Sequence, residues 1–169
     1  MQQNKIKRSK TQTITEQVYE QLEQKIIFCE IEPGSVLTEK DICDMIGAGR
    51  TPVHEALLLL SRRFLVNFSK VGIIIPEMNS SIQLQLLEMR RSILKTCVEC
   101  AIKRLTQSDR DNIEELLSTV DNLSEPEFLN WLERRQEVLS KASKNFFSYE
   151  ELRNVQGLSR RFGYYYAKK

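Results

Sequence analysis

The sequence predicts a mainly α-helical protein in two parts, with a single β-hairpin confined to the first. Three observations carry that prediction. Reciprocal capping pairs, a Ser or Thr followed three residues on by an acid, stand ahead of helically spaced apolar stripes at Thr38/Asp41, Ser108/Asp111, Ser124/Glu127 and Ser148/Glu151. β-Branched and aromatic residues gather in one place only, FLVNF (64–68) and GIIIP (72–76), parted by SKV. From Ser80 onward the apolar pattern is helical throughout.

The elements follow in order. KIKRSK (5–10) is basic and polar and reads as a flexible arm spanning residues 1–12. A first helix is expected from Thr13 to Phe28, with Val18, Leu22 and Ile26 on one face. After EPG (32–34), the Thr38 cap opens a short second helix with Ile42, Cys43 and Ile46 facing inward. Gly47 is placed to stop it, because a left-handed position costs glycine nothing. Only Ala48 and Gly49 then precede RTPVHEALLLL. Two short helices joined by so tight a turn must cross steeply, which is helix-turn-helix geometry. Pro52 falls in the first turn of the third helix, where its fixed φ is correct and its missing N–H has no partner to lose. With the hairpin, whose tip lies near Lys70, residues 13–77 read as a winged helix-turn-helix.

Beyond Pro76 helices are expected near 81–105, 109–123, 125–144 and 149–163, giving an all-helical second part over 78–169. The first carries apolar residues on two sides: Leu86, Met89, Ile93, Cys97 and Cys100 on one, Leu87, Leu94, Val98 and Ala101 on the other. Such a helix needs partners on both flanks, and a second protomer is one candidate.

Composition narrows function mainly by exclusion. A chain of 169 residues can bury a real core. No apolar run is long enough to span a bilayer and no signal-peptide core follows Met1, so a cytoplasmic location with reduced thiols is expected. Net charge is +2, and residues 1–77 hold ten Lys/Arg against ten Asp/Glu. An argument for nucleic acid must therefore rest on where charges sit. Cys97 and Cys100 form a CxxC, but Cys29 and Cys43 lie fourteen apart and a single histidine, His54, exists to complete a zinc site. Small buried side chains are the better reading of the cysteines.

The third helix is where charge placement matters. Val53, Ala56, Leu57 and Leu60 can face the core, which leaves Arg50, Thr51, His54 and Glu55 at the front. A recognition helix enters the major groove by its N-terminal residues. Arg50 has the planar fork that suits guanine O6 and N7, Thr51 can donate to phosphate or base, and His54 adds a positive charge when protonated. A solvated cap is the bland reading of the same residues.

The stretch VYEQLEQKII…EIEPGSVLTEKDICDMIGAGRTPVHEALLLL, followed by FLVNFSKVGIIIP, resembles the winged helix-turn-helix of the GntR family of bacterial transcription regulators over roughly residues 13–76. The resemblance implies double-stranded DNA as partner, with Lys40, Arg50, Thr51, His54, Lys70 and Gly72 at the operator. His54 stands where the family favours arginine, and Gly49 where a hydroxyl residue usually caps the recognition helix. Phe64 and Cys29 replace helix-ending glycines, so those turns are expected to be built differently.

SIQLQLLEMRRSILKTCVECAIKRL resembles the first helix of the FCD effector domain of the FadR branch, an all-helical dimerising unit often carrying a metal on one aspartate and three histidines. The places of the first ligand pair fall on Leu132 and Gln136, or one residue later on Glu133 and Glu137. Neither register supplies a histidine, so no metal and no other cofactor is expected, and the domain reads as shortened and divergent, with binding of a small-molecule effector left open. Glu133 and Glu137 read as solvated and compensated by Arg134 and Arg135. The tail RRFGYYYAKK (160–169) is expected to pack its tyrosines on a neighbouring helix or subunit.

The leading expectation is a homodimeric, sequence-specific DNA-binding regulator, most simply a repressor, reading a short palindrome, with Lys40, Lys70 and the arm attracting phosphates. An enzyme would have to use Ser92-x-x-Lys95, a pair with no accompanying motif. A winged helix kept for protein–protein contact, its DNA surface eroded at Gly49 and His54, is the alternative.

Overall fold

A computed structural model describes residues 12–167, apart from the side chains at 125, 126, 129 and 167. The basic 5–10 arm lies outside the described residues. The chain divides into two compact units between Pro76 and Glu77.

The first unit runs α1 (Ile14–Ile27), β1 (Val36–Leu37), α2 (Glu39–Ile46), α3 (Arg50–Arg62), β2 (Asn67–Ser69) and β3 (Gly72–Ile74). α1 opens on a capping box, Thr13 with Glu16, that the four expected pairs did not include. It buries Val18, Leu22, Ile26 and Ile27, chiefly against α3. α2 has only eight residues, too few to hold as an isolated helix. The Thr38/Asp41 box fixes its start, the hydrogen bonds from Thr38 hold the Asp41 carboxyl below its usual range, and burial of Ile42 ties it to the core. Gly47 ends it at φ 72°, as expected of a left-handed stop. Val53, Ala56, Leu57 and Leu60 of α3 are at most 1% exposed, each leucine contributing on the order of 2 kcal/mol by its burial.

The hairpin is one strand short of the sheet that forms. β1 joins it antiparallel, in the order β1-β3-β2, with Val36 opposite Ile74 and Leu37 opposite Ile73. Gly72 lies at φ 138°, and a Cβ there would meet the Leu37 carbonyl oxygen at 2.6 Å, so the close approach of β1 requires the glycine.

Two turns correct the sequence reading. Cys29 and Phe64 adopt the left-handed conformation themselves, at φ 53° and 59°. Both close Schellman motifs: Cys29 and Glu30 N–H donate to the carbonyls of Ile26 and Lys25, Phe64 and Leu65 N–H to those of Ser61 and Leu60. The turns are those a glycine would make, held at a backbone cost of about 1 kcal/mol each.

The second unit is helical: α4 (Ser80–Arg104), α5 (Gln107–Ser118), α6 (Glu125–Ala142), α7 (Phe146–Asn154) and α8 (Gln156–Ala167). The Ser124/Glu127 box opens α6, but α5 is capped by Thr106 with Asp109 and α7 by Asn145, upstream of Ser108 and Ser148. The expected 149–163 helix is two helices. The chain breaks at Val155 (φ −97°, ψ 1°), just before Gly157 weakens the helical run.

One flank of α4, including Leu86 and Cys97, packs toward α6 and α7, and Ala101 is buried with it. Leu84, Leu87, Val98 and Ile102 remain exposed. All four cysteines are free thiols; burial pushes the Cys97 thiol up, with Ser143 and Ser148 opposing. In the tail Phe162 is buried and stacks on the half-exposed Tyr166 at 6.4 Å. Among the described residues no helix is long and apolar enough to cross a membrane.

Candidate nucleic-acid interface

The front of α3 begins at Gly49, an N-cap with extended backbone (φ −69°, ψ 163°) and no side-chain cap bond. Its first-turn N–H groups are therefore left without the hydroxyl acceptor a Ser or Thr would offer. Arg50 and Thr51 follow, both exposed, and Pro52 packs inside the first turn. One turn on, Glu55 accepts a hydrogen bond from the Thr15 hydroxyl at 2.7 Å, which ties the start of α1 to the front of α3.

His54 is where three elements meet. Its Nδ1 lies 2.7 Å from Glu39 Oε1 in the first turn of α2, and its ring lies 6.0 Å from that of Phe68 in β2, tilted by 59°. Half of the imidazole remains exposed. Lys40 neighbours Glu39 and is exposed on α2. Lys70 sits with Val71 at the two-residue turn of the wing, two residues beyond Phe68. Ser69 shapes that turn: its hydroxyl donates to the Gly72 carbonyl at 2.8 Å and accepts from Val71 N–H at 3.2 Å. Arg50, Thr51, His54, Lys40 and Lys70 thus come from a helix front, a neighbouring helix and a wing that converge on one imidazole. Gly72 is half-buried under β1. Sequence reasoning missed Glu39 and Phe68. An acid in a first turn and an aromatic in a strand both have ordinary local explanations, and their meeting at His54 is a tertiary fact.

The residues of the second unit do not fit the metal that an FCD domain often holds. Gln136 is buried and accepts from the Arg90 guanidinium. Glu133 pairs with Arg160 at 3.0 Å and Glu137 with Lys141 at 2.5 Å, so the two carboxylates serve different cations. The expected compensation by neighbouring arginines is replaced: Arg134 pairs with Glu115 at 3.7 Å, and Arg135 lies over the Trp131 ring at 5.8 Å. Among the described residues no three His, Cys, Asp or Glu side chains gather. The Ser92 hydroxyl donates to the Glu88 carbonyl, and Lys95 points to solvent beside Glu99, so this pair does not meet.

Comparison with known proteins places this geometry. Residues 14–73 match the family described as bacterial regulatory proteins, gntR family. The chain is 29% identical over 100 residues to the HTH-type transcriptional repressor RspR of Escherichia coli, covering 58% of this chain and 41% of RspR. It is 27% identical over 114 residues to the regulator McbR of the same organism, covering 67% of this chain and 52% of McbR. The chain thus spans about half or less of the curated relatives it matches. Among solved structures, E. coli McbR/YncC superposes with a TM-score of 0.67 at 22% identity, covering 92% of this chain and 76% of that one. A regulator from Rhodococcus sp. RHA1 gives 0.59 at 22% identity, covering 88% and 72%. These solved structures share the fold. The N-terminal unit has a winged helix-turn-helix fold, and its residues 14–73 are similar to the gntR family of bacterial regulatory proteins.

Proposed function

We propose that the chain is a sequence-specific DNA-binding transcriptional regulator, acting as a homodimeric repressor on a short palindromic operator. Residues 13–77 are the reading domain and 78–169 a helical, FCD-like dimerisation domain. The observation that carries the proposal is the convergence at His54: the exposed front of α3, the Lys40 end of α2 and the wing meet on one surface. In this reading Arg50 and His54 face base edges, while Thr51, Lys40, Lys70 and the backbone near Gly72 meet phosphates.

Dimerisation is supported by α4. Leu84, Leu87, Val98 and Ile102 are 60%, 48%, 41% and 71% exposed, spaced three, eleven and four residues apart along one helix. A row of this kind suits the same row on a second copy. Two reading domains would then address two half-sites. The repressor named among the relatives favours repression, and a cytoplasmic location accords with this reading.

Selection from random duplex DNA at moderate salt, with Arg50→Ala beside the wild type, tests the proposal. The wild type enriches a palindrome and Arg50→Ala loses it, because a bidentate arginine contributes about 1–3 kcal/mol of base discrimination. Equal, sequence-blind binding by both would instead favour the alternative, a winged helix used for protein contact.

A further inference from the structure

We propose that Glu39 sets the hydrogen-bonding polarity of His54, so that the recognition helix offers an acceptor to the major groove and reads the exocyclic amino group of adenine or cytosine. This rests on the DNA-reading proposal above.

A carboxylate oxygen can only accept, so at 2.7 Å from Glu39 Oε1 the donor is His54 Nδ1–H. A neutral imidazole has one N–H, and Nε2 is then a bare acceptor. Among the described residues Nε2 has no protein partner, and the ring is half exposed. Phe68 lies against the ring from the wing, its centroid 6.0 Å away. Phosphate oxygens are themselves acceptors and give such a nitrogen nothing to bind. In the major groove the donors are adenine N6 and cytosine N4. The arginine that the resemblance leads one to expect at this position carries donors alone, so the Glu39–His54 pair reverses the polarity of the contact. Glu39 is a positioning residue: it places negative charge beside a polyanion, and its return is orientation.

His54 is the chain's only histidine, so its imidazole nitrogens give unambiguous NMR signals. At pH 8, above the usual imidazole range, the nitrogen shifts of the full chain should place the proton on Nδ1 in the wild type and in Glu39→Gln, whose amide oxygen can still accept. In Glu39→Ala the two tautomers should exchange. Selection from random duplexes in the same buffer then compares these proteins, with His54→Ala marking the position contacted. Wild type and Glu39→Gln should demand adenine or cytosine there, while Glu39→Ala loses about tenfold of discrimination at that position and none elsewhere. A purely structural role would weaken all positions together, and a purely electrostatic one would make Glu39→Gln behave as Glu39→Ala. Either result overturns the proposal, as does a proton on Nε2 or a demand for guanine, with DNA reading left standing. A wild type that enriches nothing while keeping its proton on Nδ1 removes the DNA-reading proposal, and this one with it.

Discussion

The two units bury different chemistry. In the first, the buried side chains are apolar, and its polar groups are kept at the surface, where α3, α2 and the wing meet. In the second, Gln136, Ser140, Ser143 and Arg161 are all buried. Arg90 there donates to both Gln136 and Ser159, and burial lowers its pKa below the usual guanidinium value. An apolar core tolerates loss of volume poorly; a polar interior tolerates loss of a partner poorly. The first arrangement suits a rigid platform whose exposed residues vary freely, the second a unit whose inside is specified by pairing.

The largest effect that would test this contrast lies in the apolar core. Leu60→Ala should cost about 3 kcal/mol, read as a shift of the urea midpoint at constant slope. A loss below about 1 kcal/mol would mean that α3 is not held by packing. In the second unit, Gln136→Leu alone should cost about 2 kcal/mol by leaving the Arg90 guanidinium short of an acceptor. Adding Arg90→Met should restore most of that, because a buried polar pair and an apolar replacement are often of similar stability. If the double variant is no better than the single, the interior depends on volume and the contrast fails.

A smaller effect has the opposite sign. Phe64→Gly, at an exposed position with φ 59°, should stabilise the first unit by about 0.5–1 kcal/mol by relieving left-handed strain. Thermal unfolding would show a raised midpoint, and a lowered one would contradict the strain. The smallest effect is a pH response of the second unit. Hydrogen bonds from Lys144 and Thr106 lower Asp109 from the ordinary 3.8 to about 2. A depressed carboxyl contributes stability that is present above its unfolded value and lost as pH falls through its folded one. Asp109→Asn should therefore flatten the stability profile between about pH 4 and 2, and an unchanged slope would count against the cap and ion pair.

The same contrast explains what the sequence made legible. The α2–Gly47–α3 turn could be read because it is written locally, in a glycine at a left-handed stop and a proline in a first turn. The core faces of α1 and α3 followed from spacing alone. β1 could not be read, since two residues become a strand only by lying against Ile73 and Ile74. Cys29 and Phe64 misled because absence of glycine was taken for absence of the turn, whereas the Schellman hydrogen bonds impose it. The Ser108 and Ser148 boxes lost to Thr106 and Asn145, which cap two and three residues earlier; a capping pattern alone does not choose between neighbouring registers. Of the site, Arg50, Thr51 and His54 were legible as a helix front. Glu39 and Phe68 were not, because they reach His54 across fifteen and fourteen residues of chain.

The most direct measurement is chemical-shift mapping of the backbone and of the His54 imidazole nitrogens, with the full chain titrated with the duplex that selection enriches. The account predicts the largest shifts at Glu39–Lys40, Arg50–Glu55 and Phe68–Val71, with His54 Nε2 among the first to move. Shifts concentrated in α4–α8, with the α3 front unmoved, would contradict it.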